Sequence, residues 1–532
     1  MLVYRSPQRT ANPRPLLAAC GERLASAPHD HDTLIAVLIE VGEIDAALAD
    51  ALFPNADDRH PLAEAAHAAT RALARRLAGH TAPPQPALEA LLAHPLPATV
   101  TLRVPEGYAW YALHPEAYLR AARTFGRDAR PARAVVIGLR SIGTSLAAMV
   151  AAGLEAEGVT VDSLSLRPRG HPFDRRPALS PALAEYLRSR AAAHFLIVDE
   201  GPGLSGSSLT GTAAALADLG IPDPRIILVP AWLPAPATFR SALARERWPR
   251  HAKLALPEAH PFPAHEDWSG GLWRHHLYAR DADWPAVQPQ HERRKFLGPD
   301  GILRKFAGLG RYGEARLTLA QRLAGAGFTP PVQSLSQGYL EHTFIPGRPL
   351  TAAGTGPAFL AHAARYLSFR ARYLATGEPA RAAGLLPLIA VNLGKTGLER
   401  AAAWEAPAVA IDGRVQPHEW LATADGFLKT DAIDHHDDHF LPGPQPILWD
   451  VAGLAVEFAL PPASARDLAQ AVAPDQAAHL PFVILAYRAA RLGYATLAAE
   501  TLGACADGTR MAVEAWRHRD RRSKKERLNT LS

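Results

Sequence analysis

Two adjacent carboxylates at the end of an apolar run are the clearest sign of chemistry in this sequence. Asp199 and Glu200 follow residues 195–198, which have the length and flanks of a buried parallel strand. A turn of small residues comes next and leads into a helix rich in Ala and Leu. Backbone N–H groups of such a turn bind anions, and paired carboxylates bind Mg²⁺. The predicted anion cradle consists of Ser205, Gly206, Ser207 and Ser208.

Two further loops after predicted strands carry cations. The strand in ARAVVIGLRSIGTS is followed by a tight turn of small residues with one arginine, and VDSLSLRPRGHPFDRR runs from a strand into an arginine-rich loop. Dense positive charge in such a loop suits a mobile lid over a polyanion, and a solvated loop is the alternative. The candidate binding residues of these two loops are Arg140, Ser141, Gly143, Thr144, Arg167, Arg169 and Arg175.

The stretch FLIVDEGPGLSGSS resembles the phosphoribosyl-pyrophosphate motif of type I phosphoribosyltransferases, over about residues 96–235. The resemblance implies a Mg²⁺-dependent transfer between phosphoribosyl pyrophosphate and an unidentified small-molecule acceptor, a nucleobase being one candidate. It implies that Asp199 and Glu200 face the ribose hydroxyls, directly or through Mg²⁺, and that the cradle holds the 5-phosphate. Residues 140–144 would contact the pyrophosphate, and the arginine-rich loop would close over it. Four residues, 201–204, separate the acids from Ser205, where the family has three.

A second set of residues lies in the C-terminal half. Lys305 lies on a candidate strand, Glu314 opens the next helix, and an acidic loop precedes an apolar run that we interpret as a strand ending at Asp450. Residues 293–515 thereby resemble the aminoglycoside phosphotransferase and fructosamine kinase branch of the protein-kinase-like fold. The resemblance implies a Lys305–Glu314 pair that positions the phosphates of ATP, and a metal-binding Asp450.

The catalytic aspartate of this half has two candidates. Asp431 precedes Asp450 by a spacing that suits the family, but His436 then occupies the usual asparagine position. Asp438 fits a His-x-Asp motif, but Gly443 then stands where asparagine is expected. A transition-metal site in residues 435–439 and a surface turn without function are the alternatives.

The pattern of helices and strands predicts an α/β protein in four parts. They are a helical cap (1–95), a phosphoribosyltransferase-type parallel sheet (96–290), an α+β kinase-like domain (291–516) and a basic tail (517–532). We therefore expect a glycosyltransferase-class enzyme with a possible second phosphotransferase activity. The alternative is a non-catalytic sensor or scaffold that retains two ligand-binding domains.

Composition limits the cellular setting. The net charge of +5 matches the excess of Lys and Arg in residues 517–527, so nucleic-acid binding is expected at most through this tail. The cysteines Cys20 and Cys505 fit no ligand spacing, which indicates a reducing compartment, and the cytoplasm is the expected location. No run approaches the ~20 apolar residues of a membrane span. An oligomer is compatible with the sequence.

Overall fold

The computed structural model describes residues 1–257, 261–354 and 356–520. The chain divides into two compact units. The N-terminal unit comprises Gln8–Pro263 and Gly308–Tyr312, and the C-terminal unit comprises Met1–Pro7, Ala264–Ala307 and Gly313–Ser532. Within the described ranges, no helix combines the length and hydropathy needed to cross a bilayer. From residue 521 onward, the predicted basic tail lies outside the described residues.

Helices fill most of the first 95 residues, as predicted. Asp30 caps the second of them by accepting a hydrogen bond from the Thr33 N–H (2.7 Å), and this helix is buried from Leu34 to Ala49. The status of this region as a separate cap stays a prediction. The first elements are β1 (Gln8–Ala11), α1 (Pro13–Ser26), α2 (His31–Leu52), α3 (Pro61–Leu77), α4 (Gln85–Ala93) and β2 (Val100–Arg103).

A five-stranded parallel sheet forms the centre of the N-terminal unit, in the order β4-β3-β7-β8-β9. Its central strands are apolar and buried on both faces, which is why they read as continuous hydrophobic runs. A parallel sheet was predicted here, and its phosphoribosyltransferase type stays a proposal. The elements are α5 (Glu106–Ala109), α6 (Pro115–Ala129), β3 (Arg133–Leu139), α7 (Gly143–Ala156), β4 (Thr160–Leu166), β5 (Pro168–Arg169), β6 (Arg176–Pro177), α8 (Pro181–Arg188), β7 (His194–Val198), α9 (Ser207–Asp218), β8 (Ile226–Val229), α10 (Ala242–Arg247) and β9 (Ala252–Lys253).

Antiparallel strands followed by helices make up the C-terminal unit. One sheet has the order β10-β11-β12-β14-β13, a second has β15-β18-β19, and β16 pairs with β17. The strands are β10 (Glu266–Asp267), β11 (Lys295–Leu297), β12 (Ile302–Phe306), β13 (Val332–Ser336), β14 (Tyr339–Thr343), β15 (Arg348–Pro349), β16 (Ala375–Arg381), β17 (Glu405–Val409), β18 (Trp420–Thr423) and β19 (Gly426–Lys429). The helices are α11 (Arg274–Leu277), α12 (Arg311–Gly325), α13 (Pro357–Tyr373), α14 (Leu386–Leu393), α15 (Leu448–Glu457), α16 (Pro462–Val472), α17 (Leu480–Leu502) and α18 (Ala506–Asp520).

The β18–β19 hairpin brings together two polar segments of the C-terminal unit. Its tight turn contains Gly426 at φ +128°, and Trp420 pairs with Lys429 at its open end. Glu419 therefore lies beside Thr430, whose N–H donates to the Glu419 carbonyl (2.9 Å). The hairpin places the residues before β18 and after β19 in one neighbourhood.

Candidate functional site

The predicted acid pair lies at the carboxyl end of β7, where it is half-buried. Burial raises the pKa of Asp199 to about 7, and burial together with the Asp199 charge raises the pKa of Glu200 to about 7. The Gly107 N–H donates to Glu200 Oε2 (2.9 Å), and the Glu200 N–H donates to Asp199 Oδ1 (2.8 Å). The backbone therefore fixes two carboxyl groups that titrate near neutrality, which suits the binding of a cation or of hydroxyl groups.

The small-residue turn is held in one conformation by Gly206. Its φ is +68°, and a Cβ there would lie 2.8 Å from Phe239 and from Ala244, so a side chain has no room. Ser205 Oγ accepts a hydrogen bond from the Ser207 N–H (3.2 Å). The Ser207 hydroxyl donates to the Pro172 carbonyl (2.7 Å), which ties the cradle to the arginine-rich loop. Ser208, the last predicted cradle residue, is half-buried in the first turn of α9.

The 140–144 loop packs against the end of β7. Gly143 opens α7, and a Cβ on it would lie 2.7 Å from the Val198 carbonyl oxygen. The Thr144 N–H donates to the Ser141 carbonyl (3.1 Å). Thr144 Oγ1 is buried without a hydrogen-bond partner in the described part of the chain. The absence of a side chain at Gly143 is therefore what brings this loop next to the acid pair.

Three of the predicted binding arginines, one in the 140–144 loop and two in the arginine-rich loop, form ion pairs with two aspartates that the motifs did not indicate. Arg140 is 1% exposed and donates to Asp50 (2.9 Å) and to Asp57. Arg167 donates to Asp50 (3.0 Å), and Arg169 donates to Asp57 (3.0 Å). An incoming pyrophosphate would have to displace these carboxylates.

The arginine-rich loop itself forms a short hairpin, in which β5 pairs with β6. Arg175 lies in its exposed part. The aspartates that occupy Arg167 and Arg169 come from the end of α2 and from the segment after it, which no local pattern connects to the loop.

A polar cavity lies in the C-terminal unit. It contains both signs of charge, with Lys305, Asp431 and Asp438 among the predicted residues. Sequence reasoning missed Glu419, Asp434, Arg414 and His418, which line it as well. The sequence offered one signal for Glu419. It directly precedes β18, and β19, the partner strand of that hairpin, ends two residues before Asp431.

Lys305 and Asp431 form the central pair of this cavity, with Nζ and Oδ1 2.5 Å apart. Burial opposes the charge on Lys305, but Asp431 and Asp434 outweigh it and raise its pKa. Burial likewise opposes the charge on Asp431, but Lys305 and His435 outweigh it and hold its pKa well below the usual value. Both groups are therefore charged at neutral pH.

Glu419, Asp431 and His435 each place a ligand atom within 4.8 Å of the others. Lys429 Nζ contacts Glu419 Oε2 (2.9 Å). His435 Nε2 lies 3.6 Å from Asp431 Oδ2, and the charge of Asp431 outweighs burial and raises the pKa of His435 to about 9. His435 is therefore protonated at neutral pH, so the two carboxylates are the metal-binding atoms of this group.

The pair predicted between Lys305 and Glu314 is not present. Glu314 is exposed in the first turn of α12, while Arg316 is buried and donates to Asp437 (3.0 Å) and to the Ala307 carbonyl (2.8 Å). The inward face of the helix thus carries an arginine, and the outward face carries the glutamate.

The strand predicted to end at Asp450 is the helix α15, so this interpretation was wrong. Asp450 is fully buried and accepts hydrogen bonds from the backbone N–H groups of Asp412 (2.7 Å) and Gly413 (2.9 Å). Burial raises its pKa to about 6. Both of its oxygens support the backbone of the 412–413 loop, and Asp450 does not line the cavity.

The acidic, histidine-rich loop does not converge on one ion. Asp438 pairs with Arg293 (2.9 Å), Asp437 pairs with Arg316, and only His435 joins the Glu419–Asp431 group. Asp434 also pairs with Arg293 (2.5 Å), and its Oδ1 is buried without a hydrogen-bond partner among the described residues.

Comparisons with known proteins give no family for this chain. No family model matches it, and no curated protein matches it. Among solved structures, a choline/ethanolamine kinase family protein from Mesorhizobium loti is 16% identical, with 46% of this chain and 92% of that chain covered and a TM-score of 0.31. The choline kinase LicA from Streptococcus pneumoniae is 13% identical, with 42% and 87% covered and a TM-score of 0.30. An ethanolamine kinase from Plasmodium vivax is 9% identical, with 43% and 78% covered and a TM-score of 0.31. At these values the likeness assigns neither a family nor a function.

Proposed function

We propose that the C-terminal unit is a phosphotransferase that moves a phosphoryl group from ATP to a small-molecule acceptor. The observation that carries the proposal is the cavity in which Lys305, Asp431 and Glu419 converge. Phosphoryl transfer needs a cation for phosphate oxygens and carboxylates for Mg²⁺, and it needs little covalent chemistry from the protein. This cavity supplies both kinds of group.

The donor set fits Mg²⁺. Glu419 and Asp431 offer carboxylate oxygens, and Mg²⁺ in nucleotide sites is typically held by one or two carboxylates together with substrate phosphates. Lys305 pairs with Asp431, and Lys429 pairs with Glu419. When bound, Mg²⁺ neutralises charge on the phosphates.

The remaining roles belong to side chains that already line the cavity. Lys305 would bind a phosphate oxygen, and Asp431 with Glu419 would hold Mg²⁺. Asp434, with one buried oxygen without a partner among the described residues, would accept a hydrogen bond from an acceptor hydroxyl. Arg293 keeps that carboxylate ionised: it outweighs burial and lowers the pKa of Asp434.

ATP binding with and without Mg²⁺, measured by calorimetry on the full chain, tests this proposal. Lys305→Ala and Asp431→Asn should each weaken binding about 10- to 100-fold, the value of one or two charge-assisted hydrogen bonds. Asp437→Asn is the matched control, because Asp437 pairs with Arg316 and does not line the cavity. Mg²⁺ affinity without nucleotide should fall in Glu419→Gln. Unchanged ATP affinity in both Lys305→Ala and Asp431→Asn would refute the proposal.

A second candidate function concerns the N-terminal unit. The acid pair Asp199–Glu200, beside the start of α9, supports Mg²⁺-dependent binding of a ribose phosphate, and transfer from phosphoribosyl pyrophosphate is the reaction that its motif suggests. The ion pairs of Arg140 with Asp50 and Asp57 weigh against a strong pyrophosphate site. Binding without transfer, as in a sensor, is the alternative form of this proposal. The cytoplasmic location stays a prediction.

Thermal shifts with phosphoribosyl pyrophosphate and Mg²⁺ test this second function. A stabilisation that the double variant Asp199→Asn/Glu200→Gln abolishes would support it, and product formation would separate transfer from binding. The double variant Glu185→Gln/Asp218→Asn removes two exposed acids of the same unit and should leave the shift unchanged. No shift in the wild-type protein would refute it.

A further inference from the structure

A second cavity lies beside the first in the C-terminal unit. Arg414, His435, Arg491 and Tyr494 line both, so these side chains form a shared wall. The rest of the second cavity is mainly aromatic and aliphatic: Ile411, Phe440, Trp449 and Tyr487 are among its lining residues. A molecule in this cavity would lie next to the Lys305–Asp431 site.

The charge of the second cavity differs from that of the first. Carboxylates and cations both line the first cavity, whereas no Asp or Glu lines the second one among the described residues. Its charged lining consists of Arg414, Arg491 and His435. Arg491 is satisfied by Glu457 (3.2 Å) and Glu514 (3.1 Å), which lie outside the cavity.

Arg414 is the group without a matching partner. Its side chain is 20% exposed, and its guanidinium donates no hydrogen bond within the described residues. The nearest carboxylate, Asp438, is 4.0 Å away and already pairs with Arg293 at 2.9 Å. Half-buried guanidinium groups are normally satisfied, because their desolvation is costly.

Aromatic rings fix the direction of this guanidinium. Arg414 lies 4.9 Å from the ring centre of Tyr494 and 5.7 Å from that of Phe440. Stacking of this kind orients the planar group and leaves its N–H edge for a ligand. The fork of donors suits a carboxylate, sulfonate or phosphate oxygen pair.

The first residues of the chain complete the wall of the cavity. Leu2 and Val3 line it, and the Leu441 N–H donates to the Val3 carbonyl (2.8 Å). Asn392 accepts from the Leu2 N–H (2.7 Å) and donates to the Leu2 carbonyl (2.8 Å). The apolar side of the cavity is therefore built by specific backbone contacts.

We infer that the second cavity binds the phosphoryl acceptor, and that this acceptor is an organic anion with an apolar or aromatic body whose anionic group binds Arg414. The inference rests on the proposed phosphotransferase function. An amine or quaternary ammonium acceptor does not fit, because the cavity offers it no carboxylate and would place it beside two guanidinium groups. The apolar body would contact Trp449 and Phe440.

Three probes with one ring system test the charge selectivity by calorimetry on the full chain without nucleotide. They are 1-naphthoate, 1-naphthalenemethanol and 1-naphthylmethylammonium. We expect naphthoate to bind about 10- to 100-fold more tightly than the other two, as a charge-assisted hydrogen-bond pair predicts. Equal binding of the neutral alcohol, tighter binding of the amine, or no binding of naphthoate at millimolar concentration overturns the inference.

Variants at Arg414 test where the anionic group of the ligand binds. Arg414→Ala should lose the naphthoate preference, and Arg414→Lys should retain part of it because the charge remains. Arg372→Ala is the matched control, since Arg372 also stacks on a tyrosine (5.2 Å) but is exposed. Undiminished naphthoate binding in Arg414→Ala overturns the inference. If that variant does not fold, the order of the three probes on the wild-type protein decides.

ATP binding separates the two proposals. Arg414-dependent binding of naphthoate in a protein that does not bind ATP would refute phosphotransfer and, with it, the acceptor role inferred here. ATP binding that depends on Lys305, in a protein that does not bind naphthoate, would refute the anionic acceptor alone.

Discussion

Asp57→Asn is the sharpest test of the charge network in the N-terminal unit. Asp57 is 1% exposed and accepts hydrogen bonds from Arg140, Arg169 and the backbone N–H of Arg167. Loss of its charge leaves Arg140, also 1% exposed, with Asp50 as its remaining carboxylate. Removing one partner of a buried ion pair costs about 3–5 kcal/mol, and we expect the lower end because Asp50 remains. About 3 kcal/mol corresponds to a Tm decrease of about 6–12 °C for a unit of this size.

Scanning calorimetry of the full chain measures this decrease. Asp58→Asn is the matched control: it alters the neighbouring residue, which is exposed and accepts from the Ser180 hydroxyl (2.7 Å). We expect Asp58→Asn to change the Tm by no more than about 2 °C, since surface interactions contribute little. Pyrophosphate should then stabilise Asp57→Asn more than the wild-type protein, because it can pair with the released arginines. If the two variants unfold at the same temperature, Asp57 is not the buried counter-ion described above.

The other predictions concern pH and backbone conformation. Folding raises the pKa of Asp199 and Glu200 to about 7, so between about pH 4 and 7 the folded protein binds more protons than the unfolded chain. The free energy of unfolding should therefore fall as pH rises through this window. The double variant Asp199→Asn/Glu200→Gln should remove that slope in thermal unfolding. Folding raises the pKa of His435 from 6.5 to about 9, so its contribution to the free energy of unfolding is complete below pH 6.5 and is lost as pH rises through 9. In thermal unfolding, His435→Gln should abolish this decline in stability. Gly206→Ala should destabilise the protein by more than about 2 kcal/mol, because backbone strain at φ +68° adds to contacts at 2.8 Å. Gly203→Ala is the control: at φ +56° with open space around it, it should cost only about 1–2 kcal/mol. Urea unfolding measures both values.

Local patterns were sufficient for the acid pair. A run of buried apolar residues, two acids and a small-residue turn specify a strand, its end and the following helix within about 20 residues. The side chains of Asp199 and Glu200 therefore lie where the sequence predicted. Their pKa values near 7 follow from burial, which a sequence pattern does not show.

The same kind of pattern failed at Asp450. Its apolar neighbours suggested a buried strand, but Leu448, Val451 and Leu454 recur at helical spacing and pack on one core as α15. A short apolar run fits both interpretations, and tertiary packing decides between them. Asp450 supports the backbone of the 412–413 loop, and β17, the strand before that loop, pairs with β16.

Ion pairs between residues far apart in the chain could not be predicted from local sequence patterns. Lys305 and Asp431 are 126 residues apart, and Arg140 and Asp57 are 83 apart. In each case folding places a counter-ion where the motif alone implied a ligand, so a cation in a motif is not by itself evidence of a site.

A better criterion for a binding arginine is whether a carboxylate pairs with it in the folded protein. Arg140 satisfies the pattern of an anion-binding loop, yet its guanidinium is already paired with both Asp50 and Asp57. Arg414 belongs to no motif, yet it faces a cavity with stacked rings on one side and its nearest carboxylate at 4.0 Å. Because the Arg414 guanidinium donates no hydrogen bond among the described residues, a bound anion would gain a charge-assisted hydrogen bond there. Residues for mutagenesis are therefore better chosen by unmatched charge than by motif, and Arg414 and Arg140 make the opposing pair on which that criterion can be measured.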